Sequence, residues 1–259
     1  MRTATAVRAL IAASLATVLG ACGPSTAQTH SAPAGATPSR PAGSAIVYAA
    51  VGASETVGTG AEQGVRQAWP QLVYNDALPR ASIYYNFGIP GATTALALQT
   101  EVPEALAVHP NLVTVWLNVN DLIGGVTPEV FEGQFDQVVH ALRQGGSARV
   151  LVANTPYLDR LPAVVKCLGA NPRETSACPT GVGTPTLGQL NTQVDLYNAA
   201  ITSVVTKEGA TLVDLHSEGD VADEHPDWIS ADGFHPSELG YAAIAAQFES
   251  VLKKSNPAG

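Results

Sequence analysis

Five short, almost wholly apolar runs, at 45–52, 81–87, 111–118, 148–154 and 210–216, recur along the chain with amphipathic stretches between them. Runs of this length, bounded by Gly, Pro or Asn, mark strands buried on both faces, which occur where helices cover both sides of a parallel sheet. The intervening segments supply those helices. Phe131, Phe135, Val138, Val139 and Leu142 fall on one helical face, as do Leu190, Val194, Tyr197, Ile201 and Val204, and a last helix is predicted over 237–253, after His235-Pro236. The expectation is an α/β fold, five parallel strands in one domain over 45–256, without internal repeats. With 46% hydrophobic residues among 259, the chain can fill one sizeable core.

The N-terminus reads differently. Arg2 and Arg8 precede an apolar run from Ala9 to Leu19 that is too short to span a bilayer and fits the core of a signal peptide over 1–21. It ends in Leu19-Gly20-Ala21-Cys22, which resembles the bacterial lipobox, where cleavage precedes a cysteine whose thiol is then lipidated. An exported lipoprotein is therefore expected, anchored through Cys22 to the outer face of a bacterial cell membrane, with a secreted protein as the alternative. Residues 22–44 hold Pro, Ala, Gly, Ser and Thr without apolar periodicity and read as a flexible stalk, whose mean reach as a random coil is about 25 Å.

Charge and cysteines narrow the partners. The formal net charge is −9, and removal of residues 1–21, with Arg2, Arg8 and no acid, takes it to −11. Such a surface is repelled by phosphate backbones, so no nucleic-acid partner is expected. A monomer is expected. Cys167 and Cys178 are expected to pair, because an exported chain meets oxidising conditions and closing this short loop stabilises the fold by about 3 kcal/mol. Two thiolates without further nearby ligands do not complete a metal site, and none is expected.

Cofactor fingerprints are absent. After Gly58-Thr59-Gly60 the next glycine is Gly64, one residue late for a dinucleotide loop, and neither a P-loop nor a GxSxG elbow occurs. What remains is a set of residues just past successive strands. Ser54 follows the first, in "VGASETVG"; Gly91 follows the second, in "PGATT"; Asn120 and Asp121 follow the third, in "NVND"; Asp232 and His235 follow the fifth, in "ADGFHP". A serine hydroxyl needs a base to become a nucleophile, and His235 is a candidate base with Asp232 to orient its ring. The N–H groups of Ser54 and Gly91 and the Asn120 amide are candidate donors for an oxyanion. Each piece alone also has a structural reading: Ser54 and Gly91 as turn residues, Asn120-Asp121 as a helix cap, Asp232-Gly233 as a tight turn beside a surface histidine.

Taken in order, these four blocks resemble the SGNH hydrolases, also called GDSL esterases and lipases, over roughly residues 45–253. The resemblance implies a flavodoxin-like three-layer α/β/α sandwich and an ester hydrolase of carboxylic esters, with a sugar or cell-wall O-acetyl esterase and a non-catalytic carbohydrate- or lipid-binding lipoprotein as alternatives. It implies Ser54 as nucleophile, His235 as base, Asp232 as its partner, oxyanion donors from Ser54, Gly91 and Asn120, and no cofactor. The partner is then a small-molecule, glycan or lipid ester. Three positions depart from the family pattern: Ala53 stands where an Asp is usual, Asn118 where a Gly is usual, and Glu55 where an apolar residue is frequent.

Other candidates are weaker. His30 falls in the stalk, His109 in a turn and His140 on a helix, while His216, at the end of the fifth strand, is the one rival base. Asp220, Asp223, Glu224 and Asp227 with His225 match no calcium-loop spacing and read as a solvated loop. The stretch 156–188 is long for a connection, and a substrate-facing role and a surface ornament are both open.

Overall fold

All five apolar runs form strands. The computed structural model describes residues 45–168, 185–217 and 224–254. Its strands β1 (Val47–Gly52), β2 (Ile83–Asn86), β3 (Leu112–Trp116), β4 (Arg149–Ala153) and β5 (Thr211–Val213) make one parallel sheet in the order β2-β1-β3-β4-β5. The strands are shorter than the apolar runs, and β5 shows one reason. Asn154 Oδ1 accepts the N–H groups of Leu215 (2.7 Å) and His216 (3.0 Å), and its amide donates to Asp214 Oδ1 (2.8 Å). Side chains there satisfy the backbone groups that a longer ladder would have used.

Alternate residues of the strands face two helical layers, as the pleat requires. Ala49, Val51, Val113 and Val115 pack with α5 (Pro128–Arg143) and α7 (Leu187–Glu208). The two sequence stripes meet there, with Phe131 stacked on Tyr197 at 4.3 Å. On the other face Tyr48, Ala50 and Leu151 pack with α1 (Trp69–Ala77) and α8 (Glu238–Lys254), where Trp69 stacks on Phe248 at 4.1 Å. Each such side chain contributes about 1.5–3 kcal/mol by leaving water. The result is the expected three-layer sandwich.

Shorter helices line the edges: α2 (Thr94–Gln99), α3 (Glu101–Ala107), α4 (Val119–Ile123) and α6 (Pro162–Leu168). The last corrects the reading of 156–188 as loop, since its apolar patch Leu161–Val165 enters a helix. Cys167 lies in α6, whereas Cys178 lies outside the described residues, as do Cys22, the signal segment, the stalk, Asp220 and Asp223. Among the described residues no helix is long and apolar enough to cross a membrane.

The strand order places the site. From β1 the chain winds one way to β2, and from β3 it winds the other way through β4 to β5. Ligands of open parallel sheets bind in the crevice beyond the strand ends where this reversal occurs, here between β1 and β3. Ser54 and Asn120 follow those two strands.

Candidate active site

β1 ends at Gly52 because no side chain fits there: a Cβ would lie 2.1 Å from Thr56 Oγ1 and 2.8 Å from the Trp116 carbonyl oxygen. The chain then turns tightly around Ser54. The Thr56 N–H donates to the Ala53 carbonyl (3.1 Å) and the Thr59 N–H to that of Ser54 (3.0 Å), while the Thr59 carbonyl accepts the Tyr241 hydroxyl of α8 (2.6 Å). At Gly60, with φ +99°, a Cβ would meet His235 Cβ at 2.9 Å and the Pro236 carbonyl oxygen at 2.7 Å. Only glycine permits both that backbone and that approach, so the serine loop and the histidine turn lie directly against each other.

Beneath this loop sits a group the sequence did not single out. Glu101, at the start of α3, is fully buried, and its Oε2 accepts the Gly52 N–H at 2.7 Å. Burial pushes the carboxyl up to about 8, with Glu104 adding to the shift and the Gly52 hydrogen bond opposing it. It is therefore mostly protonated at neutral pH. Ala53, where the family pattern has an acid, is itself buried, so the carboxyl that touches the loop comes from a distant helix instead.

The histidine turn is built around Asp232. Its Oδ1 accepts the Ser230 hydroxyl (2.8 Å) and the N–H groups of Phe234 (2.8 Å) and His235 (2.9 Å). Burial pulls this carboxyl upward, but the His235 side chain and those donors outweigh it and hold it down at about 2. An ionised carboxylate only accepts, so His235 Nδ1, 2.6 Å from Asp232 Oδ2, must carry its hydrogen. That leaves Nε2 of the neutral ring as the acceptor facing Ser54 Oγ, 3.1 Å away. The Ser54 hydroxyl has a second acceptor in reach, Glu55 Oε2 at 3.2 Å.

The donor side is assembled from the segments that follow β1, β2 and β3. The N–H groups of Ser54 and Gly91 donate to no acceptor among the described residues. The Asn120 amide spends one hydrogen on the Ala92 carbonyl (3.0 Å), which ties it to the Gly91 loop and leaves its other hydrogen unspent. Asp121 is not a cap of its own helix: it is buried and accepts the Thr94 N–H (2.9 Å) and hydroxyl (3.0 Å), fixing α2 to α4. Burial raises its pKa, with the Thr94 hydrogen bonds acting against that shift.

His216, the rival base, is spoken for. Its Nδ1 contacts the Thr155 carbonyl (2.9 Å) and its ring stacks on Tyr157 at 4.0 Å. Among the described residues no three His, Cys, Asp or Glu side chains gather into a metal-binding group. A cavity of about 320 Å³ opens beside the Ser54–His235 pair, lined by Glu55, Phe234 and Pro236 from the two loops and by Trp116, Tyr157 and Trp228 among others. Tyr157, Leu158 and Leu161 line it too, which gives the first part of the 156–188 stretch a place at the site.

The model of the GDSL-like lipase/acylhydrolase family matches residues 50–243. The chain belongs to this family. It is an ester-bond hydrolase on that ground, and solved structures share its fold. The lipase/acylhydrolase from Enterococcus faecalis is 21% identical with a TM-score of 0.60, covering 81% of this chain and 97% of its own. The psychrotrophic esterase EstA from Pseudoalteromonas is 16% identical with a TM-score of 0.58, covering 82% of this chain and 100% of its own. A two-domain esterase active on acetylated mannans is 17% identical with a TM-score of 0.59, covering 83% of this chain and 51% of its own. No curated protein matches the chain by sequence.

Proposed function

We propose that the protein is a serine carboxylesterase that works through an acyl-enzyme intermediate at Ser54. The observation that carries this reading is the continuous hydrogen-bonded series from Ser54 Oγ through His235 to Asp232, beside a cavity lined by their chain neighbours Glu55, Phe234 and Pro236. Ser54 Oγ attacks the ester carbonyl carbon as its proton passes to His235 Nε2, and Asp232 stabilises the imidazolium that forms. The carbonyl oxygen, now negative, is met by the Ser54 and Gly91 N–H groups and the remaining Asn120 hydrogen. Collapse of the tetrahedral adduct breaks the C–O bond, and the alcohol leaves with the proton from His235. Water, deprotonated by the same nitrogen, then releases the carboxylic acid and restores Ser54.

A second reading keeps these residues and changes the substrate to an O-acetylated glycan; it draws support from the fold shared with the esterase active on acetylated mannans. Both are tested by one panel, nitrophenyl esters of increasing acyl length together with acetylated sugars, assayed with the parent protein and with Ser54→Ala and His235→Ala. Both variants, folded by circular dichroism, are expected to lose about six orders of magnitude in kcat. Retained activity in folded Ser54→Ala would refute the assignment. The proposal extends to location: export and lipidation at Cys22, with residues 23–44 as the tether.

A further inference from the structure

The nucleophile is followed by a carboxylate that the reaction does not use. Glu55 Oε2 lies 3.2 Å from Ser54 Oγ, a second acceptor for the hydroxyl hydrogen that faces His235 Nε2, and among the described residues the Glu55 carboxylate has no ion-pair partner. Once the His235 imidazolium has given its proton to the leaving alcohol, this half-buried carboxylate is again without a positive neighbour, and a positive group carried by the substrate is attracted to it. The cavity Glu55 borders is suited to such a group. Trp116, Trp228 and Phe234 line it, Trp228 with His225 stacked on it at 4.1 Å, and the remaining faces of aromatic rings attract cations. Its one arginine, Arg160, is held 3.6 Å from Asp159 and lies over the Tyr157 ring at 5.6 Å, so it does not neutralise Glu55.

Geometry also says which half of the ester enters. The cavity is lined by Phe234 and Pro236, on either side of His235, and by Trp228 and Ile229, the latter paired with Pro236. His235 must protonate the departing oxygen, so the alcohol portion lies on the His235 side and the acyl carbonyl toward Gly91 and Asn120. We propose that Glu55 is a specificity-determining residue that selects esters whose alcohol carries a quaternary or protonated ammonium on a short spacer, and that it disfavours anionic alcohols. This rests on the reading of Ser54 as nucleophile.

The test compares three acetate esters of similar shape with the full chain: acetylcholine, its neutral carbon isostere 3,3-dimethylbutyl acetate, and the anionic O-acetyl isethionate. Their alcohols differ in intrinsic leaving ability, so the informative quantity is the ratio of kcat/KM values in the wild type divided by the same ratio in Glu55→Gln. This cancels the substrates' own reactivity. The cationic-to-neutral ratio is expected to fall about fivefold on substitution, and the anionic-to-neutral ratio to rise about fivefold, the scale of one partly exposed ion pair, because the aromatic contacts are the same in both proteins. Ratios unchanged within about twofold, with the neutral ester still cleaved, would overturn the role of Glu55 and leave the esterase reading standing. No turnover of any ester, nitrophenyl acetate included, would overturn both.

Discussion

Replacing Glu101 by Gln isolates the buried carboxyl under the serine loop. The two side chains have the same shape, and Gln retains an oxygen to accept the Gly52 N–H, but Gln does not titrate. In the folded protein burial raises this carboxyl from 4.5 to about 8. Between those values the native state holds a proton that the unfolded chain has released, so stability falls as pH rises, by about 1.4 kcal/mol per pH unit. The stabilisation is complete below pH 4.5 and is lost by about pH 8. From pH 5 to pH 8 the linkage for this buried group amounts to about 3 to 4 kcal/mol, which the Gln variant does not experience. Urea unfolding followed by tryptophan fluorescence, run at pH 5, 6, 7 and 8, reads this directly, because Trp69 and Trp116 are both buried. The gap between variant and wild type should move by about that amount in favour of Gln as pH rises. Parallel stability profiles, with a gap constant within about 0.5 kcal/mol, would refute the reasoning.

Other expectations concern the reaction and the tether. Asp232→Asn keeps an oxygen for the turn's own donors but turns an NH2 group toward His235 Nδ1, which reverses the ring's tautomer, and should lower kcat by about 10⁴ with the fold intact, as measured on a nitrophenyl ester. Asn120→Ala should cost about 10²–10³ in kcat with KM little changed, since its free hydrogen meets negative charge only as the adduct forms. Cys22→Ala should shift the protein from the membrane to the soluble fraction of a bacterial host and abolish incorporation of labelled fatty acid, and persistence of either would refute the lipid tether.

Much of this architecture is written locally. A strand buried on both faces needs consecutive apolar residues, and a helix covering it needs a stripe, so β1 to β5 and the faces of α5 and α7 are visible in short windows of sequence. The serine, glycine and asparagine blocks are visible for a related reason, each standing a few residues past a strand end, whereas the aspartate–histidine block lies 19 residues beyond β5 and shows through its own short Asp-Gly-Phe-His-Pro pattern. Glu101 is not, because a Glu in "QTEVPEALA" has the pattern of a solvated helix face and only the fold carries it to Gly52. The cavity is equally hidden, as its rings come from separate loops around Trp116, Tyr157, Trp228 and Phe234. Strand ends escape the apolar pattern when a side chain such as Asn154 competes for the ladder.

The contact between Ser54 and His235 joins residues 181 positions apart. Much of the sheet can be in place before it closes, because β1, β2 and β3 and their helices all precede the turn that bears the base. Closing so long a loop is slow relative to local pairing, since its entropy must be lost before the contact returns anything. Hydrolysis thus requires the last turn and helix as well as the strand that bears the serine. A polypeptide emerging N-terminus first carries its serine early but stays chemically silent until its final turn and helix dock, so completion of the molecule is itself the event that switches it on.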